Sequence, residues 1–231
     1  MESKVKIAEI LSAHLFKGLT PADVLKMYDD LATSAQNGSK NGIDPLFKYD
    51  RFGDRIIGFE HINGELGGAL NGGIDLPLLY RVEQASATIM LVAMEPFRKD
   101  NSQHCTIASP FGLCRPTQNA SGRRIKIFVD QLLNNNYAVY VTDIGKVYAL
   151  KDGRKYIGEP DVNKTLFENE LRTIRPSMVM AFGRSTIQLL SKISNYSVPI
   201  VSLRHPAAWG GNKNYYQAFL DMIHQVSNIQ V

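Results

Sequence analysis

Apolar runs typical of strands alternate with stretches of helical periodicity over most of the chain. Strand-like runs are predicted at residues 88–93, 138–142, 178–182 and 199–203. Apolar residues recur at helical spacing at about 122–134, 163–174, 184–193 and 213–228. Strands that alternate with helices are joined by crossovers, which favours a parallel sheet with helices on both faces. We therefore expect an α/β protein, with three α/β/α layers around a mainly parallel four-stranded sheet.

The N-terminal region has a different pattern. Apolar residues recur at helical spacing between residues 7 and 15, and Thr20 followed by Pro21 indicates the start of a second helix. The remainder of the region is rich in Asn, Gly and Asp. This predicts a helical and irregular lobe, residues 1–85, packed on a catalytic domain formed by residues 86–231.

Composition narrows the class of protein only modestly. The 231 residues are 44% hydrophobic and 21% charged, as in an ordinary globular domain. No apolar run approaches the roughly 20 residues of a transmembrane helix, and the N-terminus does not resemble a signal sequence. We expect a cytoplasmic monomer without membrane contact. The net charge of +4 permits an anionic partner such as nucleic acid but does not require one.

The cysteine content argues against two kinds of metal site. Cys105 and Cys114 are the only cysteines in the sequence. Two thiols are too few for a structural zinc site of cysteines or a four-thiolate iron–sulfur cluster. We expect no metal and no other cofactor.

Two of the predicted strands end in Pro-containing turns that carry an ionisable side chain. Residues 89–97 contain Glu95, and residues 201–206 contain His205. In a parallel sheet the C-terminal strand ends share one edge, where ligands bind. We therefore expect Glu95 and His205 to meet in one cleft. A carboxylate and an imidazole are sufficient for hydrolytic chemistry.

Five segments resemble, in order, motifs of the uracil-DNA glycosylase superfamily, over about residues 86–225. The first resembles a strand ending in Gly-Gln-Asp-Pro, Gly-Met-Asn-Pro or Gly-Glu-Ala-Pro, and the second a loop whose aromatic ring stacks on the flipped base. The third resembles the strand end that recognises the base, the fourth a helix–strand–Gly-Arg unit, and the fifth the His-Pro motif that closes the site. They are residues 93–96, 109–114, 140–146, 167–184 and 204–206.

The resemblance implies a monofunctional DNA glycosylase, which extrudes a base from the helix and hydrolyses its N-glycosidic bond. Glu95 would stabilise the sugar cation or orient the attacking water, and His205 would hydrogen-bond the departing base. Phe111 would stack on the base, and Met94 would also contact it. Alternatively, Phe111 is a core residue beneath its loop.

Departures from the family pattern bear on the substrate. Ala93 replaces a glycine, Glu95 stands where some branches have Asp or Asn, and the cluster-binding cysteines of the most similar branch are missing. Asp143 replaces the Asn that recognises the base. An Asn amide is complementary to uracil, whereas an ionised Asp only accepts hydrogen bonds and suits the amino group of a cytosine derivative. Alternatively, Asp143 orders its loop together with Lys146.

The resemblance also suggests how DNA would be held. Trp209, between an Ala-Ala pair and glycines, would be the apolar wedge that enters the minor groove. It could equally pack against the protein. Phosphates would be contacted by basic residues, namely Lys213, Arg184, Arg123, Arg124 and Lys126. A charge run such as residues 123–126 is also typical of a solvated helix face.

Our leading hypothesis is a DNA glycosylase that acts on a modified or damaged pyrimidine. A modified cytosine, as in phage DNA, would indicate antiviral defence. The alternatives are uracil excision in base excision repair, a non-catalytic nucleic-acid-binding module, and a hydrolase of free nucleosides or nucleotides.

Overall fold

The computed structural model describes residues 2–36, 55–59, 71–96, 105–114, 120–151, 154–156, 158–193 and 197–208. Its helices are α1 (Glu2–His14), α2 (Pro21–Gln36), α3 (Ala120–Asn134), α4 (Pro160–Ile174) and α5 (Arg184–Leu190), with 3₁₀ turns at Pro110–Gly112 and Pro206–Ala208. Its strands are β1 (Asn71–Asp75), β2 (Leu78–Tyr80), β3 (Ala87–Ala93), β4 (Cys105–Ala108), β5 (Tyr137–Asp143), β6 (Val147–Lys151), β7 (Arg154–Tyr156), β8 (Met178–Phe182) and β9 (Ile200–Leu203). The predicted helix at 213–228 lies outside the described residues.

The larger sheet has the strand order β2-β5-β3-β8-β9. Strands β5, β3, β8 and β9 run parallel, and β2 pairs antiparallel with β5. The α/β class is thus confirmed, whereas the prediction of a mainly parallel four-stranded sheet is not, because the sheet has a fifth, antiparallel strand. Strand β2 was missed because Leu78–Tyr80 is too short to show the alternation that identifies a strand.

A second, mixed sheet has the order β4-β1-β6-β7. Strand β1 pairs parallel with β4 and antiparallel with β6. The sequence analysis does not predict this sheet, because Asn-Gly-Gly-Ile-Asp of β1 has the composition of a loop. The sheet matters for function because β1 and β4 both end at the candidate site described below.

Both faces of the larger sheet are covered by helices. On one face Ile89 and Leu91 of β3 pack with Phe128 of α3. On the other face Met90 and Val92 share a core with residues of α1, α2 and α4. Successive strand residues point to opposite faces. Strand β8 is buried on both faces and is apolar throughout, and the equally buried β5 is polar only at Thr142 and Asp143, where it reaches the C-terminal edge of the sheet.

The N-terminal helices pack on this core. Helix α2 begins with a capping box, in which Thr20 Oγ1 accepts from the backbone N–H of Asp23 at 3.2 Å and the Asp23 carboxylate accepts from that of Thr20 at 2.8 Å. Strand β2, before residue 85, is part of the larger sheet. The division into domains at residue 85 stays a prediction. None of the helices in the described parts of the chain is long and apolar enough to cross a membrane.

Candidate active site

A cleft of about 700 Å³ opens where the parallel strands of the larger sheet end. Strand β3 continues into Met94 and Glu95, and β9 continues into His205, so the two strand ends meet as expected. The predicted site residues that line the cleft are Met94, Glu95, Phe111, Arg184 and His205. Segments distant in sequence thus supply a carboxylate, an imidazole, an aromatic ring and a guanidinium to one cavity.

The turn after β5 holds the end of β3 in place. Ala93 and Asp143 are partners in the parallel register. Beyond them, the backbone N–H of Ile144 donates to Ala93 O at 3.0 Å and that of Gly145 to Met94 O at 2.9 Å. These bonds fix the backbone on the N-terminal side of Glu95.

A buried ion pair between Lys146 and Glu170 holds the turn after β5 in place. Lys146 Nζ lies 2.9 Å from Glu170 Oε2, both side chains are fully buried, and Lys146 also donates to the backbone carbonyl of Asp143. Thr142 Oγ1 donates to the same Glu170 oxygen at 3.0 Å. Burial raises the pKa of Glu170, and the nearby Lys146 charge opposes that shift. Lys146 therefore orders the loop through the main chain of Asp143.

Phe111 adopts a backbone conformation that is unusual for a bulky residue. Its φ of 56° and ψ of 8° lie in the left-handed region, which costs a non-glycine residue about 1–3 kcal/mol. The fully buried Ser109 holds the turn, because its Oγ accepts from the N–H of Cys114 at 2.8 Å. The turn places the ring edge-on to Phe182, with centroids 5.6 Å apart, and 6.3 Å from the His205 ring.

His205 is arranged as a neutral hydrogen-bond donor. The backbone N–H of Ala207 donates to its Nδ1 at 3.2 Å. Because Nδ1 accepts, the proton of the neutral ring is on Nε2. Partial burial of the imidazole, on a residue that is exposed overall, lowers the pKa of His205 below its ordinary value of 6.5. At neutral pH the ring can therefore donate from Nε2 to an acceptor.

Two neighbouring arginines of α3 have different positions. Arg124 lines the cleft and donates to the carbonyl oxygen of Pro206, so it fixes the turn that carries His205. The predicted phosphate contact Arg123 is exposed and is not among the described residues that line the cleft. Helical spacing distinguishes them: Arg124 lies one turn from the buried Phe128, and Arg123 one turn from the exposed Ile127.

Gly183 brings the end of β8 to the cleft. Its φ of 93° requires glycine, and its N–H donates to Leu203 O at 2.9 Å. The strand end therefore turns beside His205, and the following Arg184 lies exposed at the cleft.

The cleft also contains a residue that the sequence did not indicate. Asp75 ends β1, is only 2% exposed and lines the cleft. The preceding Ile74 is buried in the core. Because side chains alternate along a strand, Asp75 projects from the opposite face of β1.

Other predicted residues are not brought to the cleft. Asp143 is 1% exposed and lies at the end of β5, but it is not among the described lining residues. Trp209 and Lys213 lie outside the described residues. Within the described ranges, no group of three His, Cys, Asp or Glu residues is placed to hold a metal ion.

Comparison with known proteins gives no family for this chain. No known protein-family profile matches it, and no curated protein matches it in sequence. The functional argument therefore begins from the side chains of the cleft.

Proposed function

We propose that the protein is a DNA glycosylase, which hydrolyses the N-glycosidic bond of a flipped-out modified or damaged pyrimidine and leaves an abasic site. The observation that supports it best is the meeting of Glu95, Phe111 and His205 in one cleft. A carboxylate for the sugar, an aromatic face for the base and a donor for the leaving group are the groups this reaction needs.

Phe111 and His205 would bind the extruded base. The strained turn presents the Phe111 ring to the cleft, where one face of a pyrimidine could stack on it. The Nε2–H of His205 would donate to a carbonyl oxygen of that base. When the glycosidic bond breaks, its electron pair goes to the base, and this hydrogen bond offsets the growing negative charge.

Glu95 would act on the sugar. Loss of the base leaves positive charge on the deoxyribose, which a nearby carboxylate stabilises. Water then adds to the anomeric carbon, and Glu95 takes the proton that the water loses. The departed base later gains a proton, so the products are a free base and an abasic site.

Basic residues at the cleft would hold the DNA backbone. Arg184 is exposed at its rim, where it could contact a phosphate beside the extruded nucleotide. Arg124 would act mainly by holding the His205 turn. Trp209, Lys213 and Arg123 remain proposed DNA contacts, and Met94 remains a proposed contact to the base. Asp143 is not among the described residues that line the cleft, so we assign it to ordering its loop together with Lys146.

The decisive experiment uses oligonucleotides that carry uracil, cytosine or 5-substituted cytosines, followed by alkaline cleavage at abasic sites. We expect Glu95→Gln and His205→Ala each to reduce base release by about 10²–10³-fold. Glu83→Gln and His14→Ala, which alter residues outside the cleft lining, are matched controls and should keep wild-type activity. Full activity of Glu95→Gln would remove this carboxylate from the mechanism.

A further inference from the structure

We propose that Asp75 determines which base is excised, by accepting a hydrogen bond from the exocyclic amino group of a cytosine-type base. This inference rests on the proposed glycosylase function and specifies its substrate class. Asp75 would be a contact to the base, separate from the role of Glu95 at the sugar.

The position of Asp75 relative to Phe111 is the first argument. Asp75 and Ala108 are partners in the parallel register of β1 and β4. The chain leaves β4 at Ala108 and turns at once into the 3₁₀ segment that contains Phe111. Adjacent strand ends thus supply a carboxylate and the ring proposed for stacking to the same cleft.

The rigidity of Asp75 is the second argument. Its backbone N–H donates to Lys146 O at 2.9 Å, and the N–H of Leu76 donates to Ala108 O at 3.0 Å. Lys146 is itself held by the buried Glu170. The residue is 2% exposed and its backbone is held on both sides, so its buried carboxylate has little room to move to suit a wrong base.

Hydrogen-bond chemistry gives the third argument. A carboxylate offers only acceptors. The amino group of cytosine is a donor at the ring position where uracil carries a carbonyl oxygen, so uracil would place lone pairs against the carboxylate. A site built to hydrogen-bond a substrate group rejects analogues that lack it. Among the described residues the cleft lining includes Asp75 but not Asp143, so Asp75 is the better placed carboxylate for this edge.

The experiment compares the Asp75→Asn and Asp143→Asn variants with the wild type. Single-stranded oligonucleotides carry either a cytosine-type base or uracil on 2′-fluoro-arabinose, which resists hydrolysis, and binding is measured by fluorescence anisotropy. We expect the wild type to prefer the cytosine-type base. Asp75→Asn should shift the ratio of dissociation constants toward uracil by about 5- to 150-fold, because the amide can donate to the uracil oxygen. Asp143→Asn should leave the ratio within about threefold of wild type, well below the shift expected for a lost base contact.

A change on the DNA side tests the same contact without altering the protein. An N4,N4-dimethylated cytosine keeps the ring but has no N–H to donate. The wild type should bind it at least about fivefold more weakly than the parent base, and Asp75→Asn should show a smaller difference. If Asp75→Asn does not fold, the comparison of the dimethylated and parent bases with the wild type still tests the Asp75 contact.

The outcomes separate this inference from the proposed function. An unchanged base ratio in Asp75→Asn, or equal binding of the dimethylated base by the wild type, would overturn the role of Asp75 even if abasic sites form. Base-selective binding that depends on Asp75, without any abasic-site formation by the wild type, would support the contact and refute the glycosylase. Absence of base-selective binding would overturn the contact.

Discussion

Replacing Phe111 with glycine tests whether the ring binds a base or fills the core. Phe111 lies at φ 56°, where glycine is unstrained and other residues are not. Its side chain is only partly buried and contacts Phe182 edge-on. The two interpretations of this residue therefore predict different losses of stability for the same substitution.

Opposing contributions should leave the stability nearly unchanged. Removal of the left-handed strain contributes about 1–3 kcal/mol. Loss of the Phe182 contact costs about 0.5–1.5 kcal/mol beyond the burial of the ring, and the lost burial of a half-buried ring packed on the core costs about 1 kcal/mol. The greater freedom of glycine in the unfolded chain costs about 0.5–1 kcal/mol. We expect the free energy of unfolding to fall by no more than about 2.5 kcal/mol, whereas truncation of a core Phe costs about 3–5 kcal/mol.

Activity should fall much more than stability. Stacking on a base contributes about 1–3 kcal/mol, which corresponds to about 5- to 150-fold in kcat/KM. Phe111→Ala is the matched control, because it removes the ring but keeps a Cβ at φ 56°. It should lose similar activity and be less stable than Phe111→Gly by about 1 kcal/mol.

Urea unfolding and base-release kinetics on the same preparations measure both effects. A loss of 3 kcal/mol or more in Phe111→Gly, with activity lost only in proportion to unfolded protein, would show that the ring is a core residue. Equal stability of the glycine and alanine variants would show that the backbone strain is not released.

Three further tests concern the buried ion pair, the turn that carries His205, and the protonation of His205. Lys146→Met should lower the free energy of unfolding by about 3–5 kcal/mol, because it leaves the Glu170 carboxylate buried without its cation. A double variant that also carries Glu170→Leu should recover much of this loss, and no recovery would argue against the ion pair. Arg124→Ala should reduce kcat for base release by about tenfold or more, since it frees the turn that carries His205. Arg123→Ala removes only a proposed phosphate contact, so it should raise KM but change kcat by less than about twofold, and equal effects on kcat would contradict the assignment. Because partial burial lowers the pKa of His205, its neutral form should persist as the pH falls through 6.5. Protonation of Nδ1 removes the acceptor for the Ala207 N–H that orients the ring, so the resulting loss of kcat/KM should begin only below that pH. In His205→Ala this acidic limb should be absent, and a limb that remains there would belong to another group. The unfolded chain binds more protons on this residue than the folded one as the pH falls through 6.5, so His205 should also lower stability on the acid side of that value.

Strand ends were the part of the site that the sequence could predict. Long apolar runs identified the strands that carry Glu95 and His205, and the parallel topology placed both at one edge of the sheet. This inference needs only local patterns and a general rule about parallel sheets. The resemblance to glycosylase motifs then suggested Phe111, which also lines the cleft.

Asp75 could not be predicted because its strand forms through distant contacts. The Gly-rich segment β1 has little intrinsic preference for a strand, and it pairs with β4 and β6 from later in the chain. The buried contact between Lys146 and Glu170 likewise forms only in the fold, because it joins the turn after β5 to helix α4. The position of Arg124, by contrast, could have been predicted. It lies four residues before the buried Phe128 and therefore on the same inward face of α3.

Abasic-site formation tests the central claim most directly. The wild type and Glu95→Gln are incubated with single- and double-stranded oligonucleotides that each carry uracil, cytosine or a 5-substituted cytosine at one position, and alkali then cleaves at any abasic site. The account predicts a single cleavage at a cytosine-type base with the wild type, at least about 10²-fold slower with Glu95→Gln. DNA binding by the wild type without cleavage at any base would contradict it and indicate a non-catalytic nucleic-acid-binding protein.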